Sequence, residues 1–138
     1  MLVKSDDEIL PNHQIAVLLY SENFASKRPE VAKRFMRAYI RAVRFYNGAL
    51  KNGKLDGPNA DEVIAILSEA TPIKSRDIYK SITPPGMNPD GRVNKESLAY
   101  DLAFYAAQGL INGRVNLDNI VDGSFVEAIL TELGPYKP

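Results

Sequence analysis

The most compact set of residues able to hold a small molecule is Asn12-His13-Gln14, which places two carboxamides and the chain's single histidine in a row. Together they offer donors and acceptors of several geometries. They stand directly before an unbroken apolar run ending at Tyr20, and clefts in α/β proteins form where polar residues gather at strand ends. His13 has no His-x-x-x-His or Glu-x-x-His partner, so a metal site has no ligand set, and an ordinary loop histidine is the commoner outcome of such a pattern. With no cysteine there is no thiolate ligand, thiol nucleophile or disulfide. Asp6-Asp7-Glu8 lacks the alternation of a calcium loop, and Asn88-Pro-Asp-Gly-Arg-Val-Asn94 lacks its closing glutamate, so the latter is expected to be a turn. No phosphate loop, Gly-x-Gly-x-x-Gly or Gly-x-Ser-x-Gly is present. No catalysis, metal or cofactor is expected.

A second candidate is basic. Lys33, Arg34, Arg37, Arg41 and Arg44, preceded by Lys27 and Arg28, could follow a phosphate backbone. They could equally be the solvated face of an amphipathic helix. No aromatic lies among them to stack a base, and 17 basic residues are balanced by 17 acidic ones. A surface built for polyanions is therefore not expected, and the solvated face is preferred.

The elements that must position these residues follow from punctuation and period. Gln14 to Tyr20 reads as a short buried strand, since β-branched residues and an unbroken apolar run suit a strand covered on both faces. Ser21 to Ser26 reads as a turn or single helical turn with Phe24 inward. Pro29 and Glu30 open a long helix reaching residue 51, proline fitting the first position and glutamate the positive end of the dipole. Val31, Phe35, Tyr39, Ala42, Tyr46 and Ala49 form its apolar face, widened by Ala32, Met36, Val43 and Leu50, with the basic residues opposite. Gly53 to Pro58 makes a connection. Further helices are expected at 59–71 with Asn59 as cap, at 75–81, at 94–111 ended by Asn112-Gly113, and at 124–133 behind a Ser124–Glu127 capping box. Tyr39, Tyr46, Tyr100 and Tyr105, at helical spacing, are expected in the core. The sum is mainly α, about five helices with one or two strands. A lone buried strand leaves its backbone groups unpaired, which implies partner strands elsewhere in the native protein.

Tyr20-Ser-Glu-Asn-Phe24, the Arg28-Pro-Glu-Val-Ala-Lys-Arg-Phe-Met-Arg-Ala-Tyr-Ile-Arg-Ala-Val-Arg44 helix, Asp90-Gly-Arg-Val-Asn94, Gly109-Leu-Ile111 and Val121-Asp-Gly-Ser-Phe-Val-Glu-Ala-Ile-Leu130 resemble one family across nearly the whole chain. It is the nitrate/sulfonate/taurine (NMT1/THI5-like) class of ABC-transporter substrate-binding proteins. The resemblance implies that residues 1–138 are the C-terminal portion of an α/β two-lobed, periplasmic-binding-protein-like fold whose N-terminal portion is missing. The strand near 14–20 would lie at the hinge and sheet. It further implies a periplasmic or extracytoplasmic protein whose partners are a small-molecule ligand and an inner-membrane ABC permease, with no nucleic acid. The leader that such a location requires is absent from the given residues, which contain no signal peptide. Some fungal relatives are enzymes with a cysteine-rich motif, which a cysteine-free chain does not carry. By position at the two ends of the strand, Asn12, His13, Gln14, Tyr20 and Glu22 are the candidate ligand-binding residues. The competing expectation is a helical protein-interaction or nucleic-acid-docking module using the basic face of helix 29–51.

Overall fold

A computed structural model describes residues 3, 4 and 6–137; Met1, Leu2, Ser5 and Pro138, with the side chain of Asp7, lie outside the described residues. The order is α1 (Asp6–Ile9), α2 (Glu22–Lys27), α3 (Pro29–Gly48), β1 (Leu50–Lys51), β2 (Lys54–Leu55), α4 (Ala60–Ala70), α5 (Arg76–Ser81), α6 (Lys95–Ala107), α7 (Leu117–Ile120) and α8 (Ser124–Leu133). The chain is mainly helical. None of these helices is long and apolar enough to cross a membrane.

α3 begins with Pro29 at its first turn and Glu30 behind it, as the sequence predicts. It ends earlier than predicted. Asn52 and Gly53 both adopt positive φ, 51° and 73°, and so turn Leu50–Lys51 back onto Lys54–Leu55 as an antiparallel hairpin. Two consecutive left-handed residues are what a two-residue hairpin loop requires, and Asn-Gly supplies them at least cost. α6 also stops short of Asn112-Gly113. Gly109, at φ 72°, donates to Ala106 while Leu110 donates to Tyr105, so the helix closes in a Schellman arrangement.

Two apolar clusters fix α3. Toward its end, Tyr46 and Ala49 pack with Leu55, Ala60, Val63, Ile64 and Tyr79, joining α3, the hairpin, α4 and α5. Along its middle, Met36 and Ile40 pack with Val126, Ile129 and Leu130 of α8. Ile40, Ile64 and Ile129 are the largest fully enclosed side chains, each contributing about 1.5–3 kcal/mol relative to exposure.

The buried line of α3 is Ala32, Met36, Ile40, Val43 and Tyr46, one position round from the predicted face. Val31 and Phe35 are 40% and 49% exposed. α3 is apolar over a wide arc, and periodicity does not select the line within it that meets α8. The basic side shifts correspondingly. Arg37 and Arg44 are not on a free solvated face: Arg37 pairs with Glu132 at 2.6 Å and Arg44 with Asp90 at 2.7 Å, while Lys33 pairs with Glu30 along the helix. Arg34 and Arg41 stay exposed.

The largest correction concerns residues 14–20. They run extended but pair with no strand, and the run is not buried: Ile15 is 73% exposed and Leu19 86%. A strand is buried by neighbours on both sides, and the strands among the described residues are the short arms of the hairpin. Tyr100 and Tyr105 of α6 are likewise exposed rather than in the core, whereas Tyr46 is buried. Two caps differ. Asn59 does not cap α4 through its side chain but donates to the Phe45 carbonyl at 2.7 Å. Ser124 is the first residue of α8, its N–H held by Asp122 at 2.8 Å, and Glu127 turns away to Arg92, so no capping box forms. The Asn88-Pro-Asp-Gly91 turn is present, with Gly91 N–H donating to the Asn88 carbonyl at 2.9 Å.

Candidate ligand-binding site

Asn12, His13 and Gln14 meet at the N-terminus of α6. Asn94, the N-cap, accepts from the Ser97 N–H through its side chain, leaving its own backbone N–H and its amide nitrogen to find partners outside the helix. Gln14 Oε1 accepts the Asn94 N–H at 2.9 Å, and the Asn12 carbonyl accepts from Asn94 Nδ2 at 2.8 Å. In return the Gln14 N–H donates to Ser97 Oγ at 2.8 Å. Asn12 reaches this position in the left-handed region, φ 63°, which asparagine tolerates better than most residues. The joint is reciprocal: each partner satisfies a backbone group of the other.

His13 adds charge to it. Its Nδ1 lies 3.0 Å from Asp6 Oδ2 on α1, and its Nε2 lies 3.1 Å from both oxygens of Asp101 on α6. Ser97 and Asp101 are four apart and share a helix face, which is why one side of α6 receives both Gln14 and His13. Hydrogen bonds to Asp6 first, and to Asp101 second, raise the imidazole pKa above its ordinary 6.5. Even with the imidazole protonated the cluster is one cation between two carboxylates, net negative and unsuited to an anion.

The other two candidates lie elsewhere. Tyr20 donates its hydroxyl to the Ala32 carbonyl at 2.9 Å, and its ring meets Phe24, Phe35 and Phe125 edge-on at 5.2, 6.1 and 5.3 Å. Burial pushes its phenol pKa up. Glu22 is exposed in the first turn of α2. So three of the five candidates converge and two flank the far end of the extended run. Asp6, Ser97 and Asp101 complete the cluster and do not stand out in sequence. The spacing Asn94-x-x-Ser97-x-x-x-Asp101 could have marked Ser97 and Asp101 as polar positions on one side of α6; Asp6 carries no such signal.

What the cluster can do follows from its occupancy. Both imidazole nitrogens are engaged, Gln14 uses its side-chain oxygen on Asn94 and its nitrogen on the Ala16 carbonyl at 2.6 Å, and the Tyr20 hydroxyl is spent on α3. In this arrangement these groups hold the two ends of residues 15–19. A separate open groove of about 610 Å3 runs between α6 and residues 113–117, lined by Ala99, Leu102, Ala103, Ala106, Val115 and Leu117 with Arg114 and Asn116 at its rim. Its size is that of a small-molecule site, but none of the five candidates lines it. No group of three or more potential metal ligands occurs among the described residues.

No family model matches the chain, and neither does any curated protein or solved structure.

Proposed function

We propose that this chain is the C-terminal portion of a solute-binding protein of an ABC importer, of the nitrate/sulfonate/taurine class, working outside the cytoplasm without catalysis. The observation that carries the reading is the extended run at 15–19. It is apolar, exposed and unpaired, it is held at Gln14 by α6 and at Tyr20 by α3, and it leads through α2 into Pro29-Glu30-Val31. An apolar, exposed, unpaired segment is suited to insertion into a sheet. The same logic applies to α6, which buries none of its residues although five of its thirteen are Leu, Phe or Tyr. In the two-lobed fold both features receive partners from the rest of the protein, and Asn12, His13, Gln14, Tyr20 and Glu22 lie at the ends of a sheet strand beside the cleft. Affinity then comes from desolvation and a few fixed hydrogen bonds, with the ligand favouring the closed form. The permease reads that closed form.

The test is a thermal-shift screen of the full-length protein against sulfonates, pyrimidines, aromatic acids and small amines. Stabilisation by one class, weakened in Gln14→Ala and Glu22→Ala, supports the proposal; a clean two-state melt unmoved by every class overturns it. Docking of nucleic acid on the basic side of α3 has less support, because Arg37 and Arg44 are engaged with Glu132 and Asp90 of the same chain.

A further inference from the structure

We propose that His13, clamped between Asp6 and Asp101, is a pH-operated latch that holds the segment from α1 to His13 against α6 when the imidazole is protonated and releases it when neutral. The geometry points to it. Each ring nitrogen faces a carboxylate, at 3.0 Å on the Asp6 side and 3.1 Å on the Asp101 side. Ionised carboxylates only accept hydrogen bonds, so both contacts need an N–H on the ring. Imidazolium has two. Neutral imidazole has one, and whichever nitrogen loses its proton then points a lone pair at a carboxylate. One side of the clamp has to open.

The clamp joins parts of the chain far apart in sequence, since His13 and Asp101 are separated by 88 positions. Among the described charged groups, Asp6 from α1 and Asp101 from α6 are the ones that act on the ring, and both favour its charged form. The neighbouring bonds at Asn12, Gln14, Asn94 and Ser97 are between neutral groups and do not titrate. Release is therefore local: α1 and the His13 side chain loosen from α6 while the Asn12 and Gln14 bonds to Asn94 and Ser97 stay. The sign follows from the raised pKa. Stabilisation by the latch is complete below the ordinary histidine value of 6.5 and is lost as pH rises through the higher folded value. Nothing in the latch depends on solute binding, so either proposal can fail alone.

Because His13 is the only histidine in the chain, its imidazole signals in a proton NMR titration need no assignment. The experiment follows them from pH 5 to 9 in the 138-residue chain, alongside amide protection factors, which remove the intrinsic pH dependence of exchange. The expected result is a midpoint above 6.5, lowered in Asp101→Asn and in Asp6→Asn and lowest in the double variant, with protection at residues 8–13 falling several-fold through the midpoint while α3 is unchanged. His13→Gln abolishes that pH-dependent step. A wild-type midpoint at or below 6.5 overturns the latch even if the variants do not fold, as does protection at residues 8–13 that is flat across the titration.

Discussion

α3 and α6 are the two longest helices, and they dispose of their apolar surface differently. α3 buries Ala32, Met36, Ile40, Val43 and Tyr46 between α8 on one stretch and α4, α5 and the hairpin on another. α6 is well formed, with a side-chain cap at Asn94 and a Schellman stop at Gly109, yet buries nothing. Tyr100, Phe104 and Tyr105 stand 56%, 53% and 46% exposed. The difference separates helix formation from helix burial. Caps, dipole charges and propensity specify where a helix starts and stops; a partner surface specifies whether its apolar face stabilises the fold. α3 has its partners within this chain. α6 is held chiefly by polar bonds to residues 12–14 and by α7, and the exposed run at 15–19 likewise lacks cover among the described residues.

Truncating one apolar side chain in each helix separates the two cases. Ile40→Ala, at a fully enclosed site facing α8, is expected to cost about 2–5 kcal/mol in urea unfolding. A loss below 1 kcal/mol would show that the α3–α8 seam is not a core.

Next in size is Arg44→Ala. The guanidinium donates to Asp90, to the Gly134 carbonyl at 2.6 Å and to the Pro89 carbonyl at 3.2 Å, tying α3 to the Asn88–Gly91 turn and to the end of α8. Its removal is expected to cost about 1–3 kcal/mol, the range for hydrogen bonds to charged groups. Partial burial pushes the Asp90 pKa up, but the Arg44 hydrogen bond and the Tyr136 N–H more than offset this and hold it below the usual carboxylate value. A depressed folded pKa gives stability that is present above the unfolded value and lost as pH falls through the folded one. Urea midpoints between pH 2 and 5 should therefore drop in the wild type and drop less steeply in Arg44→Ala; parallel profiles would remove Arg44 as the cause.

The smallest expected effect is the other half of the comparison. Phe104→Ala in the 138-residue chain should change stability by no more than about 0.5 kcal/mol, as for exposed positions elsewhere. In the longer two-lobed protein proposed above, where α6 would be covered, the same substitution should cost several times more. A large cost in the chain alone would show that α6 is already packed.

The sequence by itself settled the elements whose causes are local. Pro29-Glu30 opens α3, Asn94 caps α6, Asn88-Pro-Asp-Gly91 turns, and Gly134 ends α8 in the left-handed region, because each depends on the conformational preferences of a few adjacent residues. Local signals also misled where two competed: Gly109 ended α6 before Asn112-Gly113 could, and Asn52-Gly53 made a hairpin rather than a plain connection. Three of the five candidate site residues were legible as a polar group before an apolar run, but the roles of Asp6, Ser97 and Asp101 were not: the spacing within α6 does not name partners 83 to 88 positions away, and Asp6, seven positions from His13, belongs to a turn of helix that no sequence signal marked. Tertiary structure alone decided which line of α3 meets α8, that Arg37 and Arg44 face acidic partners, and that residues 15–19 stay extended without a neighbour. Those outcomes rest on burial and pairing between distant segments, and free energies of that kind are properties of the assembled surface rather than of any one stretch of chain.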